Sequence, residues 1–165
     1  MEVKYKMPKI LIIYYSRTGN TEKMANLISE GVLSEGVDVE LKRVENTTVE
    51  DLLSSDGIIM GSPTYYGTMS AEVKKLIDDS VSHHGSLEGK VGAAFSSSAN
   101  VGGGNETTVL SILEAMLIHG MVIQGDSKGD HYGPVSINYP DQRSSAICKK
   151  LGVRTAKLVK KLFKK

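Results

Sequence analysis

The sequence predicts an α/β fold: a doubly wound, five-stranded parallel sheet of strand order 2-1-3-4-5 between two helical layers. Short apolar segments alternate with helical patterns along the whole chain, as in βαβ units joined by right-handed crossovers. The first, third and fourth apolar segments are nearly continuous, which is typical of strands covered on both faces. The second segment alternates in polarity, as an edge strand does. This order puts the switch point, where such sheets bind ligands, between strands 1 and 3.

Length and composition predict one domain spanning residues 1–165, with residues 1–8 as a short flexible N-terminus. Cys148 is the only cysteine, which excludes a disulfide framework and favours a reducing, cytoplasmic setting. No stretch approaches the ~20 apolar residues that a membrane span needs, so we expect no membrane insertion. The net charge of +1, without a basic stripe interleaved with aromatic residues, argues against nucleic-acid binding.

The first half of the fold begins with a central strand over residues 10–15. Apolar residues then recur at helical spacing from residue 22, and Gly36 is a plausible stop. Residues 37–44 alternate strictly between apolar and charged and form the second strand. Thr47 and Glu50 have the spacing of a capping box, which predicts a short helix through residue 53.

The middle of the chain repeats the strand-loop-helix pattern. Residues 56–61 form a short buried strand, and apolar residues between 69 and 77 form the next amphipathic helix. Residues 90–95 form a fourth strand whose small side chains let helices approach closely.

The last third of the chain supplies the most apolar helix, over residues 109–117, and a fifth strand over residues 121–124. Residues 125–143 are rich in Gly, Asp, Tyr and Pro, which predicts a functional loop with a short strand piece. The final helix buries apolar residues between 147 and 162 and exposes lysines on its opposite face.

Three polar loops follow strands 1, 3 and 4, and we expect them to meet at the carboxyl edge of the sheet. They are the first loop (16–21), the second loop (62–67) and the third loop (97–103). The first loop precedes a helix, whose N-terminus and small hydroxyls suit a phosphate. The chain has no G-x-x-x-x-G-K-[ST] and no strand-linked G-x-G-x-x-G, which excludes ATP and dinucleotide folds of those types. It also lacks the clustered acids of a phosphorelay receiver after strand 1.

These loops carry a resemblance to the flavodoxins. Ser-Arg-Thr-Gly-Asn-Thr at 16–21 resembles their FMN-phosphate loop, and Ser-Pro-Thr-Tyr-Tyr-Gly-Thr-Met-Ser at 62–70 resembles an isoalloxazine loop of the WrbA-type NAD(P)H:quinone oxidoreductases. Residues 97–108 resemble the second isoalloxazine loop of that branch, and His-Gly-Met-Val-Ile at 119–123 and Tyr-Gly-Pro at 132–134 are similar to later segments. The resemblance covers nearly the whole chain and implies a three-layer flavodoxin-like sandwich that binds FMN.

The resemblance also implies which residues hold the cofactor. The phosphate is assigned to Ser16, Arg17, Thr18, Gly19, Asn20 and Thr21. The ring is assigned to Pro63, Thr64, Tyr65, Tyr66 and Gly67, and to Ser97, Ser98, Ala99, Asn100, Val101, Gly102 and Gly103, with His119 approaching the pyrimidine carbonyls. The residues taken alone leave other interpretations open: Thr18 to Thr21 as an ordinary helix N-cap, the two tyrosines as loop residues, and His119 as a partner of a helix C-terminus.

The resemblance implies an FMN-dependent oxidoreductase that takes electrons from NADH or NADPH and passes them to a quinone or another small acceptor. It needs no catalytic side chain and no metal, because the flavin carries the chemistry. A homodimer or homotetramer is consistent with this branch. The main alternative is an electron-carrier flavodoxin acting between proteins; carriers of this kind are typically acidic, whereas this chain is near neutral. A third alternative is an FMN sensor or assembly module.

Overall fold

The computed structural model describes residues 7–163, and it shows helices on both faces of a parallel sheet. Residues 1–6 of the N-terminus that was predicted to be flexible lie outside the described residues. The strands are β1 (Lys9–Tyr14), β2 (Asp38–Arg43), β3 (Gly57–Pro63), β4 (Val91–Ser98), β5 (Val122–Ile123) and β6 (Val135–Ile137). The helices are α1 (Asn20–Ser34), α2 (Val49–Leu53), α3 (Ala71–Asp79), α4 (Asn105–Ile118) and α5 (Gln142–Phe163).

The strand order is β2-β1-β3-β4-β5, which confirms the predicted order and fold class. The central strand β1 pairs in parallel with β2 on one side and with β3 on the other. Its residues after Lys9 are all buried, because neighbours on both sides and helices on both faces cover it. Strand β2 has no buried residue, as its alternating sequence predicted for an edge.

The edge strand beyond β4 differs from the prediction because it is split into two pieces. Strand β5 pairs with the first two residues of β4, and β6 pairs with the last three, Ser96 to Ser98. Residues 124–134 form a loop between the two pieces. The strand piece predicted within 125–143 is therefore β6, and it lengthens the sheet at its carboxyl edge.

Two apolar layers lie on the two faces of the sheet. Ile10 and Ile12 point to the face covered by α1 and α5, and Leu11 and Ile13 point to the face covered by α2, α3 and α4. This alternation follows from the two-residue period of a strand. Within the described residues, no helix is both long enough and apolar enough to cross a membrane.

The short helix α2 begins one residue later than the capping pattern predicted. Thr48, not Thr47, is its N-cap, and the side chain of Thr48 accepts a hydrogen bond from the Asp51 amide. The Asp51 carboxylate accepts in return from the Thr48 amide at 2.9 Å. The aspartate completes the box in place of the predicted Glu50, because it is the acid three residues after the true cap.

Candidate functional site

The first loop leaves β1 at its carboxyl end and leads directly into α1. Gly19 is the N-cap of α1 with a φ of +94°, a left-handed conformation that suits glycine. The Ser16 hydroxyl accepts a hydrogen bond from the Gly19 amide at 3.1 Å, which closes the turn. Among residues 7–163, no side chain caps this helix, so the first turn of α1 offers backbone N–H groups to an anion.

The second loop folds into a tight turn beside the first. Tyr65 and Thr68 exchange backbone hydrogen bonds of 2.9 and 3.2 Å across Tyr66 and Gly67. Both central residues have positive φ, +51° and +82°, which defines a type I′ turn. The Tyr66 side chain is fully exposed at the tip of this turn.

The third loop follows β4 and is braced by its own side chains. The Ser98 hydroxyl donates to the Asn100 carbonyl at 3.0 Å, and the Asn105 side-chain amide donates to Ser98 Oγ at 3.0 Å. The loop ends at Gly104, the N-cap of α4, which again has no side-chain cap. Thr107 on α4 donates a hydrogen bond of 2.7 Å to the Gly67 carbonyl, which fixes the second loop against this helix.

Buried hydroxyls connect the three loops. Thr21 Oγ1 and Ser97 Oγ lie 2.9 Å apart and join the first loop to the third. Thr64 Oγ1 lies 3.0 Å from Ser96 Oγ and accepts from the Thr108 hydroxyl at 3.1 Å. These hydrogen bonds fix the three loops relative to one another, and a site held by its own side chains loses less conformational freedom when a ligand binds.

The three loops enclose one cleft of about 380 Å³ at the carboxyl edge of the sheet, as the sequence predicted. It lies within the size range of small-molecule sites. The lining residues are Ser16, Arg17, Thr18, Asn20, Thr21, Pro63, Thr64, Tyr65, Ser97, Ser98, Ala99 and Asn138.

Arg17 carries the only charge among these lining residues. Its guanidinium lies 5.3 Å from the centre of the Tyr65 ring, and Tyr15 meets the same ring edge-on at 6.3 Å. Burial raises the pKa of Tyr65 above its ordinary value. Tyr65 therefore remains neutral at physiological pH, and its ring lies between the Arg17 guanidinium and the ring of Tyr15.

Asn138 lines the cleft and was not predicted. It follows β6, has a φ of +55°, and its backbone amide donates to the Ser98 carbonyl at 2.8 Å. Asparagine tolerates the left-handed conformation better than most residues, but the sequence gives no sign that residues 135–138 return to the third loop. The missing information was the split edge strand, which brings β6 beside Ser96 to Ser98.

The remaining predicted residues of the loops lie around the cleft. Gly19, Tyr66 and Asn100 are sequence neighbours of lining residues. Gly67 and Gly103 are not among the lining residues: Gly67 accepts a hydrogen bond from Thr107, and the Gly103 amide donates to the Asn100 carbonyl at 3.1 Å. Val101 and Gly102 line a neighbouring cleft of about 540 Å³, together with the start of α4, β6 and Arg143.

His119 lies away from this cleft. The expectation that it approaches the flavin pyrimidine is therefore wrong for a site formed by a single chain. It caps the C-terminal end of α4, and a helix that follows a parallel strand returns its C-terminus to the amino edge of the sheet. There His119 Nε2 lies 2.9 Å from Ser80 Oγ, and its ring is 5.9 Å from that of His84. Burial, followed by the nearby His84, lowers the pKa of His119. Within residues 7–163, no three His, Cys, Asp or Glu side chains group as a metal site would require.

The donors of the cleft fit a phosphate joined to a planar ring. Hydroxyls of Ser16, Thr18 and Thr21 and the uncapped start of α1 gather at one end, and a phosphate monoester needs no more than such donors. The Tyr65 ring and the backbone of the second and third loops form the other end, where a flat aromatic ligand gains from stacking.

Comparisons with known proteins agree with this geometry. The sequence model of the family described as "Flavodoxin domain" matches residues 11–109. A flavodoxin of Aquifex aeolicus is 43% identical over 93% of this chain and 88% of its own length. An NAD(P)H dehydrogenase (quinone) of Archaeoglobus fulgidus is 34% identical over 94% of this chain and 100% of its own length. The crystal structure of a WrbA-like flavodoxin from Agrobacterium tumefaciens superposes with a TM-score of 0.80 at 23% identity, covering 94% of this chain and 99% of that one, which shows the shared fold. This chain therefore belongs to the flavodoxin family, whose cofactor is FMN.

Proposed function

We propose that the protein takes electrons from NADH or NADPH through bound FMN and passes them to a quinone or another small acceptor. Flavin-dependent electron transfer follows from membership of the family. The choice of nicotinamide donor and quinone acceptor is the proposal. Relatives called flavodoxin and relatives called NAD(P)H dehydrogenase (quinone) are similarly close to this chain, so their names alone do not decide it.

The charge of the cleft is the observation that carries the proposal. Among the described residues that line it, Arg17 bears the only charge and no carboxylate is present. NADH and NADPH carry two or three phosphates, so a cleft with one exposed cation favours their approach, whereas a docking site for a basic protein would be acidic. A neutral, planar quinone needs only an open, partly aromatic surface, which the exposed Tyr66 and the half-buried Tyr65 provide.

In this proposal, each loop has a separate task. The first loop and the start of α1 hold the phosphate through hydroxyls and backbone amides. Thr64 to Gly67 and Ser98 to Gly103 flank the ring, and their backbone donors stabilise negative charge on its pyrimidine side. When bound, FMN supplies both hydride acceptance and electron donation, so the protein need only position it and leave one face accessible.

A second candidate, an electron carrier between proteins, is favoured by the gaps in this chain's alignments with its relatives. The alignment with the Aquifex flavodoxin has 162 positions. This chain fills about 153 of them, which is 93% of its 165 residues. The alignment with the Archaeoglobus dehydrogenase has 190 positions. This chain fills about 155 of them, which is 94% of its residues. The aligned dehydrogenase therefore contains about 35 positions that have no counterpart in this chain, whereas the aligned Aquifex flavodoxin contains about nine.

Anaerobic reduction distinguishes the two candidates. FMN-loaded protein is mixed with NADH or with NADPH, and the flavin absorbance is followed, with free FMN at the same concentration as control. Bleaching well above the rate of free FMN, reversed by a quinone, is the expected result. If neither nucleotide bleaches the bound flavin although dithionite does so at once, the proposal is wrong and the carrier is favoured over the oxidoreductase.

A variant of the first loop tests the site assignment in the same assay. Asn20 lines the cleft at the first position of α1, so Asn20→Leu places an apolar side chain against the phosphate position. The variant is expected to lose FMN on gel filtration. Asn26→Leu is the matched control, because Asn26 lies later on α1, is exposed, and donates a side-chain hydrogen bond to the Glu22 carbonyl at 2.9 Å. Equal FMN retention by both variants would contradict the assignment.

A further inference from the structure

Arg43 contacts the first loop from behind, at the carboxyl end of β2. Its Nη2 atom donates a hydrogen bond of 2.6 Å to the Ser16 carbonyl. Its guanidinium lies 5.6 Å from the centre of the Tyr14 ring and pairs with Glu45 at 3.4 Å. Arg43 is not among the described residues that line the cleft, so it contacts the first loop from outside that lining.

The same guanidinium also reaches the helix that the first loop enters. Arg43 Nη1 lies 3.8 Å from a carboxylate oxygen of Glu22, which is in the first turn of α1. The other oxygen of Glu22 accepts a hydrogen bond of 2.9 Å from the Tyr14 hydroxyl. Arg43, Tyr14 and Glu22 therefore join the end of β1, the first loop and the start of α1 in one network.

The bond to Ser16 has a consequence for the next amide. The peptide between Ser16 and Arg17 is trans, so its C=O and N–H groups point in opposite directions. With the Ser16 carbonyl bonded to Arg43, the Arg17 N–H points away from Arg43, and both residues of this peptide line the cleft. An amide fixed in this direction is a preorganised donor for an anion.

We propose that Arg43 is a positioning residue for the cofactor phosphate: it orients the Ser16–Arg17 peptide so that the first loop presents its donors to the cleft. The inference rests on FMN binding in this cleft, as in the proposed function. It explains how a phosphate loop without a lysine keeps its shape, since a second cation, in addition to Arg17 within the loop, lies outside the loop and bonds to its backbone.

A comparison of FMN with riboflavin tests this role, because the two ligands differ only in the phosphate. Ligand-free protein is titrated with each, and quenching of flavin fluorescence gives Kd. Arg43→Gln is expected to weaken FMN about tenfold, the equivalent of about 1.4 kcal/mol, and to change the riboflavin Kd by less than about twofold. Unchanged riboflavin binding also shows that the variant is folded around the ring site.

Lys42→Gln is the matched control. Lys42 precedes Arg43 on β2, points to the opposite face, and pairs with Glu40 at 3.2 Å and Asp51 at 2.8 Å. It loses the same charge without touching the first loop, so its FMN affinity is expected to stay within about twofold of wild type. Arg43→Lys, which keeps the charge and one donor group, is expected to recover most of the lost affinity.

Ionic strength separates positioning from long-range attraction. In about 0.5 M KCl, exposed charges are screened over a few ångströms, so the loss in Arg43→Gln should persist if the hydrogen bond is its cause. Disappearance of the loss in salt, an equal loss for FMN and riboflavin, or wild-type FMN affinity in Arg43→Gln would each overturn the inference. If the wild-type protein binds FMN but nicotinamide nucleotides do not reduce the bound flavin, only the proposed function is overturned.

Discussion

Replacing Gly104 with alanine is expected to destabilise the protein and to displace the second loop. Gly104 has a φ of +98°, and the left-handed conformation costs a residue with a Cβ about 1–2 kcal/mol. A Cβ at this position would also lie 2.7 Å from the Gly67 Cα, which is a backbone atom of the type I′ turn and cannot rotate away. Crowding of this kind costs about 1–3 kcal/mol, so the free energy of unfolding should fall by about 2–5 kcal/mol in total.

Gly102→Ala is the matched control for the crowding. Gly102 lies in the same stretch with a φ of +68°, and nothing lies within 4 Å of the position its Cβ would take. It therefore loses only the conformational contribution of about 1–2 kcal/mol. Gly104→Ala should be less stable than Gly102→Ala by about 1–3 kcal/mol, which lowers Tm by about 2–4 °C per kcal/mol in a chain of this size.

Urea denaturation of the two ligand-free variants measures this difference, and flavin titration measures its effect on the site. Gly104→Ala should weaken FMN and riboflavin by the same factor, because the second loop is assigned to the ring and not to the phosphate. Equal unfolding midpoints for the two variants would refute the argument from the Gly104–Gly67 contact. A loss confined to FMN would contradict the division of tasks between the loops.

Three further predictions concern the rest of the fold. Burial raises the pKa of Cys148 to about 12, so a thiol reagent at pH 8 should modify it only after urea unfolds the protein; rapid modification of the native protein would contradict its burial. Gly152→Ala should lower the unfolding free energy by about 3 kcal/mol or more, since its Cβ would lie 2.1 Å from the Ile28 carbonyl oxygen where α5 crosses α1; a wild-type urea midpoint would show that the helices can separate at little cost. Burial and His84 lower the pKa of His119 below its ordinary 6.5, so the unfolded chain binds a proton at His119 more readily than the folded protein does. The free energy of unfolding should therefore fall as pH drops below about 6.5. His119→Gln should reduce this loss of stability between pH 7.5 and 5.5, and an unchanged pH profile would exclude His119 as its source.

The strand order could be predicted because burial leaves a direct record in the sequence. A strand covered on both faces must be apolar at every position, as β1 is, and an edge strand such as β2 exposes alternate residues. The order then places the ends of β1, β3 and β4 at one edge. For this reason the first, second and third loops could be assigned to one cleft before their geometry was known.

The position of His119 shows where a resemblance in sequence and the direction of the chain disagree. The segment after α4 is similar to one in a related branch, which implied a contact with the flavin. A helix that crosses between parallel strands must nevertheless return to the amino edge, so within one chain His119 lies at the edge opposite the cleft.

The sequence by itself determined the fold class, the strand order and the three loops, because each depends on local patterns of polarity and on the rules of parallel sheets. Only the tertiary structure decided that Asn138 joins the cleft and that Arg43 holds the first loop from behind. Both residues reach the site through partners that are distant in sequence, Ser98 for Asn138 and Ser16 for Arg43. Such contacts depend on which residues stand opposite each other in paired strands and on the split of the edge strand, and the predicted strand order does not specify either.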